Sequence, residues 1–263
     1  MDFDFKTKYS MADLLQIMRI LRSPNGCPWD REQTHQSIRS CFIEETYEAV
    51  EAIDTDDTEL LKEELGDVLL QVLFHSQIEA ENGSFDFSDV VDGIAKKMIV
   101  RHPHVFGDTV VKNSDDVLVN WDAIKKKSKS QTTQTEVLQS VSAALPALMR
   151  SAKVQQKAAK VGFDWPDVSG ALQKVDEELS ELKEAVQEDD QTACGEELGD
   201  LLFSVVNVSR FLHVEPEQTL TLACNKFISR FSKVEQLANE QNIRLSDSSI
   251  EQLDLLWNEA KKR

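Results

Sequence analysis

Apolar residues recur along most of this chain at three- and four-residue intervals, and runs that alternate with a period of two are few. That pattern predicts helices almost throughout. Nine glycines and six prolines in 263 residues supply little of the punctuation that strands and hairpins require. In the C-terminal half the periodic segments fall near 145–160, 167–187, 189–213, 216–239 and 248–262. Four or five helices joined by short loops suffice to enclose a bundle core, so the expected fold class is all-α. Periodicity lapses in KKKSKSQTTQTEVLQS, residues 125–140, which is rich in Ser, Thr and Gln. Such a composition predicts a linker and two domains, 1–128 and 141–263, separated by 129–140.

The two halves are versions of one unit. Glu44, Glu45 and Glu48 precede Glu64 and Asp67; Glu177, Glu178 and Glu181 precede Glu197 and Asp200, each displaced by 133 positions. Downstream, Lys97 and Arg101 are answered by Lys226 and Arg230 at an offset of 129, and Trp121 and Lys125 by Trp257 and Lys261 at 136. The drifting offsets mean that the loops differ in length.

Residues three and four apart share a helix face, so Glu178 and Glu181 project together, as do Glu197 and Asp200 on the following helix. On that helix Leu198, Leu201, Leu202, Val205 and Val208 form an apolar stripe beside a polar one of Glu197, Asp200, Ser204 and Asn207. The acids are therefore expected on a polar seam bordering the core. Converging carboxylates resist ionisation through mutual repulsion and desolvation, and a cation relieves both. Oxygen ligands without histidine or thiolate select hard cations, with Mg²⁺ first and Mn²⁺ as substitute. A Glu-rich face is also what a solvated helix displays. Two copies, each followed by ELGD, KxxxR and WxxxK, weigh against solvation alone, although duplication establishes ancestry before catalysis.

Lys226 and Arg230, at i and i+4, place two cations where phosphate oxygens can be held, or where an ordinary surface ion-pair face would lie. Trp257 with Lys261 nearby offers a base-stacking platform; a tryptophan on a terminal helix also commonly packs on the core. Trp29 and Trp165 stand at equivalent positions ahead of the acidic helices, where packing or loop anchoring is expected. His102 and His104 flank a proline and are read as residues of a helix C-terminus.

A net charge of −18 repels nucleic acid and anionic lipid, so extended nucleic-acid binding is not expected, and a triphosphate site needs bound cations to invert the field. No glycine-rich phosphate loop is present. Cysteines at 27, 41, 194 and 224 form no CxxC pair and read as reduced thiols. No apolar run approaches 18 residues and the first ten residues lack a signal-like apolar region, so a soluble cytoplasmic protein is expected.

EExxE followed by ExxD in an all-α bundle resembles the MazG-type nucleoside triphosphate pyrophosphohydrolases. GCPWD at 26–30, RHPHVF at 101–106 and VGFDW at 161–165 extend the likeness over nearly the whole chain, in the long form with two tandem MazG-like bundles. The resemblance implies Mg²⁺-dependent hydrolysis of NTPs or dNTPs to nucleoside monophosphate and pyrophosphate by a homodimer. Carried onto this sequence, it implies metal ligation by Glu178, Glu181, Glu197 and Asp200, with Glu177 and Glu196 as supporting acids. Lys174, Glu178, Asn207, Lys226, Arg230, Trp257 and Lys261 are the implied nucleotide contacts. Glu45, Glu48, Glu64 and Asp67 form a possible second metal site. Cys41 stands opposite Lys174 and Phe74 opposite Asn207, so the first domain is expected to be weaker, regulatory or structural. Two other readings stand beside this one. A helical dimerisation or adaptor module would leave the acids as a solvated face. A di-iron carboxylate bundle needs two Glu-x-x-His motifs, of which the chain has only Glu32-x-x-His35.

Overall fold

A computed structural model describes residues 3–128 and 131–262. The chain divides into two compact units, Met1–Lys125 and Lys126–Arg263. The first contains α1 (Met11–Arg22), α2 (Pro28–Glu32), α3 (Arg39–Asp54), α4 (Thr58–Asn82), α5 (Phe87–Arg101), α6 (Pro103–Phe106) and most of α7 (Ser114–Ser128). The second contains α8 (Gln134–Gln139), α9 (Ala147–Ala159), α10 (Val168–Gln187), α11 (Gln191–Phe211), α12 (Pro216–Glu240), a 3₁₀ turn at Leu245–Asp247 and α13 (Ile250–Ala260). No strand occurs among the described residues, as the periodicity predicts.

Each unit is organised around an antiparallel pair carrying the acids, α3 with α4 and α10 with α11. The turn joining each pair is built the same way. Asp56 and Asp189 take left-handed backbone angles, φ 54° and 55°, and the next residue, Asp57 or Asp190, caps the following helix. The Asp57 carboxylate accepts from the amides of Glu59 and Leu60, and that of Asp190 from Thr192 and Ala193, so helix-end donors are satisfied identically in both copies.

Met18, Ile38, Phe74 and Ile78 form the buried cluster of the first unit, with Leu70 packed against it. In the second unit α12 and α13 close over Val234, Leu237, Ala238, Leu256 and Ala260, while α9 packs on both α11 and α12. Two expectations change. The span read as a linker, 129–140, carries helix α8 in its described part, because Thr133 and Glu136 form a reciprocal capping box. The Gln134 side chain then ties this helix to the Lys157 carbonyl at 2.7 Å. Second, Leu198, Leu202 and Val205 of the α11 apolar stripe are about half exposed rather than core, since within the chain α9 and α10 cover other faces of that helix.

Candidate active site

In the second unit the acids gather from two helices. Carboxylate oxygens of Glu177, Glu178 and Glu181 lie within 4.8 Å of one another, and those of Glu178, Glu197 and Asp200 do the same. Glu178 belongs to both groups and is 4% exposed. A buried carboxylate is costly unless paired, and Lys174 pairs it: its ammonium lies 2.6 Å from both Glu177 and Glu178. Hydrogen bonds to these two carboxylates, Glu177 first, raise the Lys174 pKa and hold the lysine charged. Glu181 is raised instead, by desolvation and then by the charges of Glu178 and Glu197. Glu196, by contrast, is exposed and outside both groups.

The cations sit on a different helix pair. Lys226 and Arg230 are on α12, and the Arg230 guanidinium lies 6.0 Å from the Trp257 ring centroid on α13. Trp257 also meets Phe227 at 5.1 Å and packs against the α12–α13 core, while the Lys261 ammonium donates to Asn258. The main packing of α12 is on α13 and α9, and that of α10 is on α11.

Asn207, two turns beyond Asp200 on α11, lies at the wall of a cavity of about 450 Å³. The cavity lies between α9, α11 and the VGFDW segment, with Leu138 of α8 at one side. Val154, Phe163, Trp165 and Phe203 make it mainly apolar; Gln155, Asp164, Asn207 and Arg210 supply its polar groups. Arg210 forms an ion pair with Asp164, and Asn207 Oδ1 accepts from its Nε and Nη2 at 3.3 and 3.0 Å. Trp165 is 44% exposed and Trp29 60%, so neither is a core residue.

The first unit repeats the acidic arrangement in part. Glu45, Glu48 and Glu64 gather within 4.8 Å, whereas Asp67 stands outside that group yet close enough for its charge to act on Glu45 and Glu64. Desolvation, followed by the charges of neighbouring carboxylates, pushes both Glu45 and Glu64 upward. Glu64 is buried, and its Oε2 has no hydrogen-bond partner among the described residues. Where Lys174 would stand this unit has Cys41. Arg101 lies over Trp121 at 5.2 Å, and His102 caps α5 with its ring nitrogen donating to the Met98 carbonyl. His35 does not pair with Glu32. It bridges His75, at 2.7 Å between Nδ1 atoms, and Glu79, at 2.6 Å. No spacing rule joins His35 to residues on α4, 40 and 44 positions away.

Comparison with known proteins agrees with the architecture. Residues 33–106 and 168–235 match the MazG nucleotide pyrophosphohydrolase domain, once in each unit. The chain is 46% identical over 249 residues to the nucleoside triphosphate pyrophosphohydrolase/pyrophosphatase MazG of Thermotoga maritima, covering 95% of this chain and 94% of that protein. It is 42% identical over 255 residues to the nucleoside triphosphate pyrophosphohydrolase of Escherichia coli K12, covering 95% and 96%. An uncharacterized Bacillus subtilis protein, YabN, is 53% identical over 258 residues, which span 97% of this chain and 52% of that protein. With the duplicated helix pair, its paired acidic groups and these matches in hand, the chain belongs to the MazG nucleotide pyrophosphohydrolase family.

Proposed function

We infer that the chain hydrolyses nucleoside triphosphates to nucleoside monophosphates and pyrophosphate, with the second unit as the principal site. The observation that carries this reading is Glu178, a buried carboxylate shared by two acidic groups from α10 and α11 and neutralised only in part, by Lys174. A hard divalent cation fits such a cluster, because all donors are carboxylate oxygens, and desolvation together with the charges of Glu178 and Glu197 already opposes ionisation at Glu181. Glu178, Glu181, Glu197 and Asp200 would hold it, with Mg²⁺ first and Mn²⁺ as substitute. When bound, the cation supplies charge neutralisation and Lewis-acid polarisation at the phosphates. Lys174 pairs with Glu178 and orients it. Glu177, exposed at the edge of the cluster, serves to take up the proton of the attacking water, with Glu196 as an outer acid. Lys226, Arg230 and Lys261 hold phosphate oxygens as charge develops.

The separation of acids and cations favours assembly of two copies. The acids lie on the α10–α11 pair and Lys226 and Arg230 on the α12–α13 pair, while Leu198, Leu202, Val205, Leu220, Phe227 and Ile228 stay exposed. Apolar faces of that extent call for a partner. A second copy of the chain, packed on these faces, would bring the cations of one subunit toward the acids of the other. The first unit, lacking the lysine and the asparagine, is read as a weaker, regulatory or structural metal-binding copy. No described helix is long and apolar enough to cross a membrane, and four free cysteines accord with a reducing cytoplasmic setting.

Product analysis tests the activity. Incubation with a nucleotide mixture and Mg²⁺ is expected to yield monophosphate and pyrophosphate, and chelation to stop the reaction. Diphosphate with orthophosphate would place the cleavage at the wrong bond, and absence of turnover with Mg²⁺ would favour the adaptor reading.

A further inference from the structure

In the first unit the segment between α2 and α3, residues 33–38, is tied to α4 by a chain of polar groups that the acidic cluster does not use. His35 Nε2 lies 2.6 Å from a Glu79 oxygen, and His35 Nδ1 lies 2.7 Å from Nδ1 of His75. The two imidazoles are within 11° of parallel, with centroids 5.0 Å apart. Nitrogens this close cannot belong to rings stacked face to face, so the rings meet edge to edge and each Nδ1 points at the other. Elsewhere in the segment Thr34 and Ser37 bond with each other, Ser37 bonds with Gln33, and Arg22 reaches the Gln33 carbonyl at 3.3 Å. Ile38 is buried in the core with Phe74 and Ile78.

The order of protons along this chain is fixed. A carboxylate only accepts, and the hydrogen bond from His35 lowers the Glu79 pKa, so His35 carries its proton on Nε2. Nδ1 of a neutral His35 is then a bare acceptor, His75 donates from its own Nδ1, and His75 Nε2 is left bare. One added proton enters on His75 Nε2 without breaking a bond. A second has only His35 Nδ1 to occupy, where two N–H groups and two cations would face each other across 2.7 Å. The surrounding elements do not relieve this. From α3, Phe42 meets His75 with an uncharged ring; from α1, Arg22 is paired with Glu81 and Arg19 acts on Asp86; at the head of α5, Asp86 and Asp89 are taken up in the capping box. The charge that acts on His75 is that of His35. The second unit is built differently. The offset of 133 that aligns the acids sets Val168, Val208 and Leu212 against His35, His75 and Glu79, an apolar trio indifferent to pH.

We propose that Glu79, His35 and His75 are a pH-sensitive latch that fastens the α2–α3 segment to α4. It is closed while the two rings share at most one added proton, and it opens when both are cations, as pH falls below the ordinary histidine range. The segment leads into α3, so opening frees the start of the helix that carries Glu45 and Glu48 and couples the order of the first acidic group to pH. The second unit, without titratable groups at these places, does not respond.

The test is hydrogen exchange of the full chain at about pH 7.5 and about pH 5.5, with rates corrected for the intrinsic effect of pH. The amides of Ile38 and Phe42 bond to the Thr34 and Ile38 carbonyls. Their protection should fall by about tenfold, the effect of one further proton taken up by the open form over a pH unit below an ordinary histidine pKa of about 6.5. The Leu212 amide, bonded to the Val208 carbonyl in the second unit, should not change. His35→Val, His75→Val and Glu79→Leu together copy the second unit and should abolish the pH dependence. Equal protection at the two pH values in the unaltered chain overturns the proposal, as does the same loss in a folded triple variant. Nitrogen-15 shifts of the imidazoles at the higher pH give a reading that needs no variant. Nε2–H on His35 with Nδ1–H on His75 is expected; Nε2–H on both rings would remove the bond on which the latch depends and overturn it.

Discussion

Lys174 lies three and four residues ahead of Glu177 and Glu178, and its two 2.6 Å ion pairs set a cation against the buried Glu178 carboxylate. Cys41 cannot do this in the first unit, where burial and repulsion push Glu45 and Glu64 toward their protonated forms. The helical spacing of the acids made their convergence legible in the sequence, and the same spacing contains the lysine pairing. Gln155 was not legible. A single glutamine on an amphipathic helix carries no signal until the Phe203 carbonyl is found beside it. The His35–His75–Glu79 chain was equally hidden, and it has a pH consequence. Desolvation, then the neighbouring His35, lowers the His75 pKa from 6.5, while the hydrogen bond from His35 lowers that of Glu79 from 4.5. For His75 the unfolded chain takes up its proton first, so stability is lost as pH falls through 6.5 toward the folded-state value. For Glu79 the contribution is present above 4.5 and is lost as pH falls through its lower folded-state value. The thermal midpoint is expected to drop between about pH 7.5 and 5.5, and His75→Phe to flatten that drop. An unchanged slope in the variant would remove His75 from the account.

Among the elements, the long helices of the second unit lie within a few residues of the ranges that apolar periodicity predicts. Their ends are set by local chemistry that the sequence also displays. The Asp-Asp turns supply one left-handed residue and one cap, and the caps of α4 and α11 accept the same two amide bonds. Asp57→Ala and Asp190→Ala should therefore each cost about 1 kcal/mol in denaturant unfolding of the chain. A loss near zero at either would mean that the turn is held by packing rather than by the cap. Helix α8 escaped because composition rich in Ser, Thr and Gln resembles a linker, although TTQTE also spells a capping box. The side of α11 that faces water was unreadable for a different reason. Periodicity reports that a face is apolar, not whether the same chain covers it.

At the scale of the molecule, duplication followed by divergence gives two bundles with similar acidic centres and different surroundings. One has a lysine-compensated cluster and an open cavity; the other has a cysteine and a filled core. If a second copy covers the exposed stripe of Leu198, Leu202 and Val205, as proposed above, sedimentation of the intact protein should give a dimer and Leu202→Glu should shift it toward monomer. A monomer before substitution would leave that surface without the proposed occupant. The unequal pair is tested most directly by one measurement, pyrophosphate release from a nucleoside triphosphate with Mg²⁺ by Glu178→Gln beside Glu45→Gln. The account predicts a loss of at least about a hundredfold for Glu178→Gln, on the scale of losing a metal-assisted step, and retention of most turnover by Glu45→Gln. Equal losses in the two variants, or a larger one for Glu45→Gln, would contradict it.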